Sequence, residues 1–126
     1  MGLIKAKNTR PEIVVRSLIH AMGYRYRLHR KDLPGKPDLV FPSRGAVIFV
    51  HGCFWHRHKG CKLARLPKTR LDFWVPKLEG NRLRDARTEH ALRALGWRVM
   101  TIWECQIVRP YALQKRVARF LENRAT

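Results

Sequence analysis

Residues 37–61 read PDLVFPSRGAVIFVHGCFWHRHKGC. Two short runs rich in β-branched and aromatic residues, Asp38-Leu-Val-Phe and Ala46-Val-Ile-Phe-Val, flank Pro42-Ser-Arg-Gly45. Such runs about a turn of four residues predict a β-hairpin. With the turn centred between Ser43 and Arg44, Asp38 falls opposite about Phe49, within a residue of Val50 and His51 across the ladder. The buried-strand pattern then ends abruptly in His51, His56, His58, Cys53, Cys61 and the adjacent aromatics Phe54 and Trp55. Few cores need that mixture, so an acid and a loop built for chemistry are expected side by side.

The spacing Cys53-x4-His58-x2-Cys61 suits three ligands of a tetrahedral zinc site. Cys105, after the strand-like WRVMTIW, is the natural fourth, and a zinc there would tie the late chain to the central loop; a small buried thiol would suit the same position. Three cysteines cannot all pair, and no signal peptide opens the chain, so reduced thiols in a cytoplasmic protein are expected.

The chain has 126 residues, enough for one domain spanning 1–126 that buries roughly two-thirds of its unfolded surface. Lys and Arg number 27 against 9 acids, a formal charge of +18, which makes nucleic acid the default partner. Basic residues are spread along the whole sequence and no run approaches the roughly 20 apolar residues of a spanning helix, which argues against a membrane. No repeat or low-complexity tract interrupts the α/β pattern.

Outward from the hairpin, Thr9 and Glu12 form a capping box around Pro11, and Val14, Leu18, Ala21 and Met22 recur at helical spacing until Gly23. Tyr24, Tyr26 and Leu28 alternate with arginines, which predicts a half-buried strand, followed by the polar loop HRKDLPGKP. After the cysteine loop, Leu71, Trp74, Val75 and Leu78 predict a short helix and residues 81–95 a longer one closed by Gly96. A strand over 97–103 and a covering helix bearing Leu113, Val117, Phe120 and Leu121 complete the chain.

A carboxylate at the start of one strand, opposite the end of its neighbour, is a common way to hold a divalent metal against a scissile phosphate, and Asp38 fits that role. The Glu-x-Lys expected on the next strand of the commonest nucleases is absent, because that strand reads VIFVHG. His51 and His56 can replace the lysine, since imidazole accepts a proton from water near pH 7. Magnesium would take further ligands from backbone carbonyls such as that of Val50, and either Asp85 or Glu12 could orient the histidine. Phe54, Trp55 and Trp74 are placed to wedge between bases or to pack around the loop.

LPGKPDLVF, VIFVHGCFWHRHKGC, Phe73-Trp74 through Asn81 to Arg84-Asp85, GWRVMTIWEC and the early KNTRPE together resemble the very-short-patch repair (Vsr) endonucleases. The resemblance runs from Met1 to about Cys105. It implies a restriction-endonuclease-like fold of the PD-(D/E)xK superfamily, a mixed β-sheet flanked by helices with a structural zinc site. The implied activity is Mg²⁺-dependent nicking of one strand 5′ to the thymine of a T:G mismatch left by 5-methylcytosine deamination. Carried over by position, Asp38 is the metal-binding acid, with the Val50 carbonyl as a further ligand. His56 is the base oriented by Asp85, His51 a second active-site histidine, and Glu12 an active-site acid. Zinc falls to Cys53, His58, Cys61 and Cys105. Phe54, Trp55 and Trp74 match aromatics inserted beside the mismatch, and Met1 matches a residue that reaches the minor groove.

This chain departs from the family pattern in the extra residue within Lys59-Gly60, in Val50 where threonine can occur, and in starting about a dozen residues later. The implied setting is a monomer in the bacterial cytoplasm, at the nucleoid when on DNA, working with a repair polymerase and other mismatch-repair proteins. A restriction-type enzyme cutting paired DNA would carry the same catalytic set. A catalytically silent zinc-stapled binding module would need neither Asp38 nor the histidines.

Overall fold

Thr9 lies in extended backbone, and its hydroxyl accepts the Glu12 amide at 3.4 Å, capping a helix, α1 (Arg10–Ala21), with proline in its first turn. A computed structural model describes residues 9–123. The hairpin follows as read: β2 (Leu39–Phe41) and β3 (Ala46–His51) are antiparallel, with Leu39 opposite Ile48 and Phe41 opposite Ala46. The turn is a short 3-10 segment ended by Gly45 in left-handed backbone. Extending that register by one residue puts Asp38 opposite Phe49, as the sequence predicted.

The strand expected from Tyr24 shrinks to β1 (Arg27–Leu28), antiparallel to β2. Its partner runs out first, because β2 ends at Phe41 and Pro42 has no N–H to continue the ladder. Tyr24 and Tyr26 still pack on the core, and the Tyr26 hydroxyl donates to the Arg16 carbonyl at 2.9 Å. The two helices expected between residues 71 and 95 are one 24-residue helix, α2 (Leu71–Ala94). The helix runs through Pro76, which lies close to its start, where a single proline removes one backbone bond without ending the helix.

Parallel strands require a crossover, and α2 is the crossover from β3 to β4 (Arg98–Trp103). The sheet order is β1-β2-β3-β4. On one face Leu39, Phe41, Ala46, Ile48, Met100 and Ile102 pack on Val15 and Ile19 of α1 and on Leu113, Val117 and Leu121 of α3 (Pro110–Glu122). On the other, Val40, Val47, Phe49 and Val99 meet Leu92 of α2 and Leu33. Each large aliphatic side chain so buried is worth about 2 kcal/mol of apolar transfer. No helix among the described residues is long and apolar enough to cross a membrane.

The loop before β2 is locked onto α2 at Gly35. Its φ is +72°, and a Cβ there would lie 2.2 Å from Thr88 Cγ2. Gly35→Ala is therefore expected to destabilise the fold by about 2 kcal/mol or more, lowering the melting temperature by roughly 5–10 °C. Thermal denaturation of the variant measures this; an unchanged melting temperature would mean the loop does not seat on Thr88.

Candidate active site and metal centre

Parity along the strands decides what gathers at the end of the sheet. In β3, Val47 and Phe49 face α2, so His51 does too, and Asp85 lies on α2 to meet it. His51 Nδ1 is 4.0 Å from an Asp85 carboxylate oxygen, and the His56 Nδ1 is 2.6 Å from the same oxygen. The two imidazoles stack with centroids 3.8 Å apart and planes 6° from parallel. Burial, with the neighbouring His56 adding and Asp85 opposing, pushes His51 down to about 4, so it is neutral at pH 7. Among the described residues its buried Nδ1 has no hydrogen-bond partner.

Asp38 stands immediately before β2, and its carboxylate accepts the Val50 N–H at 2.7 Å. Burial raises its pKa to about 7; the Val50 N–H opposes the rise, and Glu12 adds to it by repulsion and by a side-chain hydrogen bond. Glu12 is itself buried in α1, accepting from Arg16 Nη1 at 3.2 Å and bonded to His29 Nε2 at 2.7 Å. Glu12, His29 and Asp38 each offer a ligand atom, all within 4.8 Å of one another. A buried carboxylate carried so far above its ordinary range, beside a second one, is an environment that a cation would relieve.

The cysteine cluster follows from the same register. His51 pairs with Trp103 across the parallel ladder, and two residues beyond them come Cys53 and Cys105. With His58 and Cys61 they place four ligand atoms within 4.8 Å. Both Cys53 Sγ and Cys105 Sγ lie 3.5 Å from His58 Nδ1. A zinc tetrahedron with Zn–S of about 2.3 Å and Zn–N of about 2.0 Å has S···N edges of about 3.5 Å, so this group fits zinc. Burial pushes the Cys53 thiol up to about 12, and a bound cation would supply the charge needed to ionise it. The Trp103 ring stacks on His58 at 4.2 Å and meets His51 edge-on at 5.3 Å, linking the two centres.

Phe54, Trp55 and Trp74 form one half-buried group, with centroids 5.1 Å apart for Phe54 and Trp55, 5.4 Å for Phe54 and Trp74, and 5.7 Å for Trp55 and Trp74. Asn81 on α2 donates to the Trp55 carbonyl at 3.0 Å and pins the loop there. Met1 lies outside the described residues. Sequence reasoning missed His29, whose surroundings HRKD look solvated, and Glu104, whose carboxylate accepts the Cys53 N–H at 3.3 Å. Neither has a periodic or spacing signal; both matter only through contacts across the fold.

A mixed sheet flanked by helices, with acids and histidines converging at one end, defines a nuclease-like fold. The catalytic domain of the homing endonuclease I-Bth0305I superposes with a TM-score of 0.64 over 94% of this chain and all of that one, at 17% identity. The sequence pattern of the family described as DNA mismatch endonuclease Vsr matches residues 1–63. The type II nicking enzyme V.XorIIP of Xanthomonas oryzae pv. oryzae is 59% identical over 97% of this chain and 89% of its own length. The DNA mismatch endonuclease Vsr of Escherichia coli is 42% identical over 85% of this chain and 68% of its own. The chain belongs to the Vsr family and is a DNA endonuclease.

Proposed function

We propose that residues 1–126 form one Mg²⁺-dependent endonuclease domain that nicks a single DNA strand 5′ to the thymine of a T:G mismatch, the product of 5-methylcytosine deamination. The observation that carries the reading is the half-buried Asp38 carboxylate, raised to about 7, beside a His56–Asp85 pair held at 2.6 Å. Asp38, Glu12 and the Val50 carbonyl would hold the magnesium. Bound there, it would polarise the scissile phosphate and offset the charge that builds on its oxygens.

His56 is the general base. Asp85 fixes Nδ1, which leaves Nε2 free to take the proton from the attacking water and stabilises the imidazolium that results. His51, neutral and stacked against His56, keeps the base from swinging. Its uncharged ring also avoids a second cation that would oppose proton uptake by its neighbour. Zinc at Cys53, His58, Cys61 and Cys105 would be structural, since four protein ligands leave no open position.

Phe54, Trp55 and Trp74 act as the wedge. Unstacking a base step costs about a few kcal/mol and least at a mismatch, so a wedge favours T:G over a paired site. Trp74→Ala is expected to lower nicking of a T:G duplex by roughly 10–100-fold, since base–aromatic stacking is worth about 1–3 kcal/mol, with the melting temperature nearly unchanged. Equal nicking by parent and variant would remove the wedge from the mechanism.

A monomer in the bacterial cytoplasm, nucleoid-associated on DNA and followed by a repair polymerase and other mismatch-repair proteins, suits one site making one nick. The deciding experiment is strand-resolved cleavage of end-labelled T:G duplexes in several contexts beside their fully paired controls. One nick 5′ to the mismatched thymine supports the proposal. Equal cutting of paired controls moves the enzyme to a restriction-type role, and binding without any cleavage leaves only a zinc-stapled binding module.

A further inference from the structure

Glu12 is 2% exposed, an almost wholly desolvated carboxylate, and a principal partner is a histidine that takes no part in the chemistry described above. His29 directly follows β1. Its backbone N–H continues the ladder to the Asp38 carbonyl at 3.2 Å, and its φ is +50°, in the left-handed region. A non-glycine residue there is strained by about 1 kcal/mol and persists only where its surroundings fix it. Here both ends are fixed: the main chain is bonded to Asp38, and the ring nitrogen Nε2 is 2.7 Å from Glu12 Oε2. One residue is thus tied to both acids of the proposed cation site.

Two carboxylates brought together inside a protein repel each other, and each needs hydrogen-bond donors to stay where it is. Asp38 has the Val50 N–H; Glu12 has Arg16 and His29 on one oxygen. The Arg16 contact is the longer of the two, 3.2 against 2.7 Å, and comes from the next turn of α1 itself. The His29 contact instead crosses from the sheet edge to the helix, so it alone of these two sets Glu12 relative to the strand that carries Asp38.

We propose that His29 is a positioning residue of the catalytic cation site, its Nε2–H holding the Glu12 carboxylate so that Glu12 and Asp38 present oxygens to one divalent cation. The proposal rests on Asp38 as the metal-binding acid. Partners of this kind typically change metal affinity 10–100-fold when removed. His29 thereby acts on metal affinity and not on the proton transfer at His56.

The test uses Mn²⁺ as the probe, titrated into the zinc-loaded, DNA-free protein and followed by the electron paramagnetic resonance signal of free Mn²⁺. His29→Met and His29→Gln have similar length and the same backbone strain, but only the glutamine keeps an N–H donor. His29→Met is expected to weaken Mn²⁺ binding about tenfold or more, with His29→Gln within about threefold of the parent. In nicking assays the Met variant should need about tenfold more Mg²⁺ for half-saturation while its rate at saturating Mg²⁺ stays within about threefold. Equal losses in both variants would mean that the ring packs and does not position, and unchanged Mn²⁺ affinity in His29→Met would also overturn the proposal. Asp38→Ala separates the two levels: lost Mn²⁺ binding there with an unaffected His29→Met sinks His29 alone, whereas unaltered binding in Asp38→Ala sinks the metal-site reading and this proposal together.

Discussion

Replacing Asp38 by asparagine is expected to reduce nicking by at least about a thousandfold while making the magnesium-free protein more stable above neutral pH. Both effects come from the same burial. The carboxylate rises from 3.8 to about 7, so the folded state holds a proton that the unfolded chain releases three pH units lower. Stability from this group is fully present below pH 3.8 and is lost as pH climbs through about 7. Asparagine has no such loss. Its melting temperature at pH 8, with zinc retained and no magnesium, should exceed the parent's by about 5 °C, and the gap should close towards pH 4.

His51 supplies the opposite slope. Held down to about 4 by burial first and His56 second, it contributes stability that is present above pH 6.5 and lost as pH falls through about 4. Between those limits the two groups offset each other in the parent, whose stability should vary little from this source. Asp38→Asn leaves only the histidine slope, so the variant should lose stability on acidification from pH 6.5 to 4 more steeply than the parent. Melting curves across pH 4–8 would test this, and a variant destabilised equally at every pH would show that Asp38 is needed for packing and carries no buried charge.

Much of this arrangement is legible in the chain because the hairpin is short and local. Once the turn at Pro42–Arg44 is recognised, counting outward fixes Asp38 opposite Phe49, and the structure keeps that register. The candidate zinc ligands are legible for a related reason, since Cys53, His58 and Cys61 are close in sequence and follow a loop spacing. Cys105 is found by chemistry, as the third thiol and fourth candidate ligand, and its place is explained only by the parallel ladder that aligns Trp103 with His51. Glu12–His29 is a different case. It joins a helix face to a strand end through a left-handed residue, and nothing in the local pattern of either segment encodes that meeting. The continuity of α2 is not legible, because Leu71 to Leu78 and residues 81–95 each show helical spacing locally, whereas burial of Leu78 and Leu92 belongs to the fold and holds both stretches in one helix.

Removing the metal proposed at Cys53, His58, Cys61 and Cys105 is expected to have the largest effect on the folded protein. The bound metal should be zinc, one per chain, and Cys105→Ser or prolonged chelation should lower the melting temperature by about 15 °C or more, because structural zinc contributes on the order of 10 kcal/mol to the state that binds it. The reason lies in what the loop must otherwise do alone. Between His51 and α2 the chain has no long element of its own; it is held by the Arg57 side chain on the Ala64 carbonyl, by Asn81 on Trp55 and by the sulfur cluster. That loop carries His56 and the Phe54–Trp55 pair, so releasing it separates the base from Asp85 on α2 and the aromatics from Trp74. Nicking should therefore vanish together with mismatch preference, while the β2–β3 hairpin and its packing on α1 and α3 persist as residual secondary structure. Mass spectrometry under native conditions gives the stoichiometry, and Co²⁺ substitution gives an independent readout, since thiolate-to-cobalt charge-transfer bands and tetrahedral ligand-field bands accompany a three-sulfur, one-nitrogen site. A metal-free protein with the parent's melting temperature and full nicking activity would show that the four residues are merely neighbours, and the loop would then owe its geometry to Trp103, stacked on His58 and edge-on to His51.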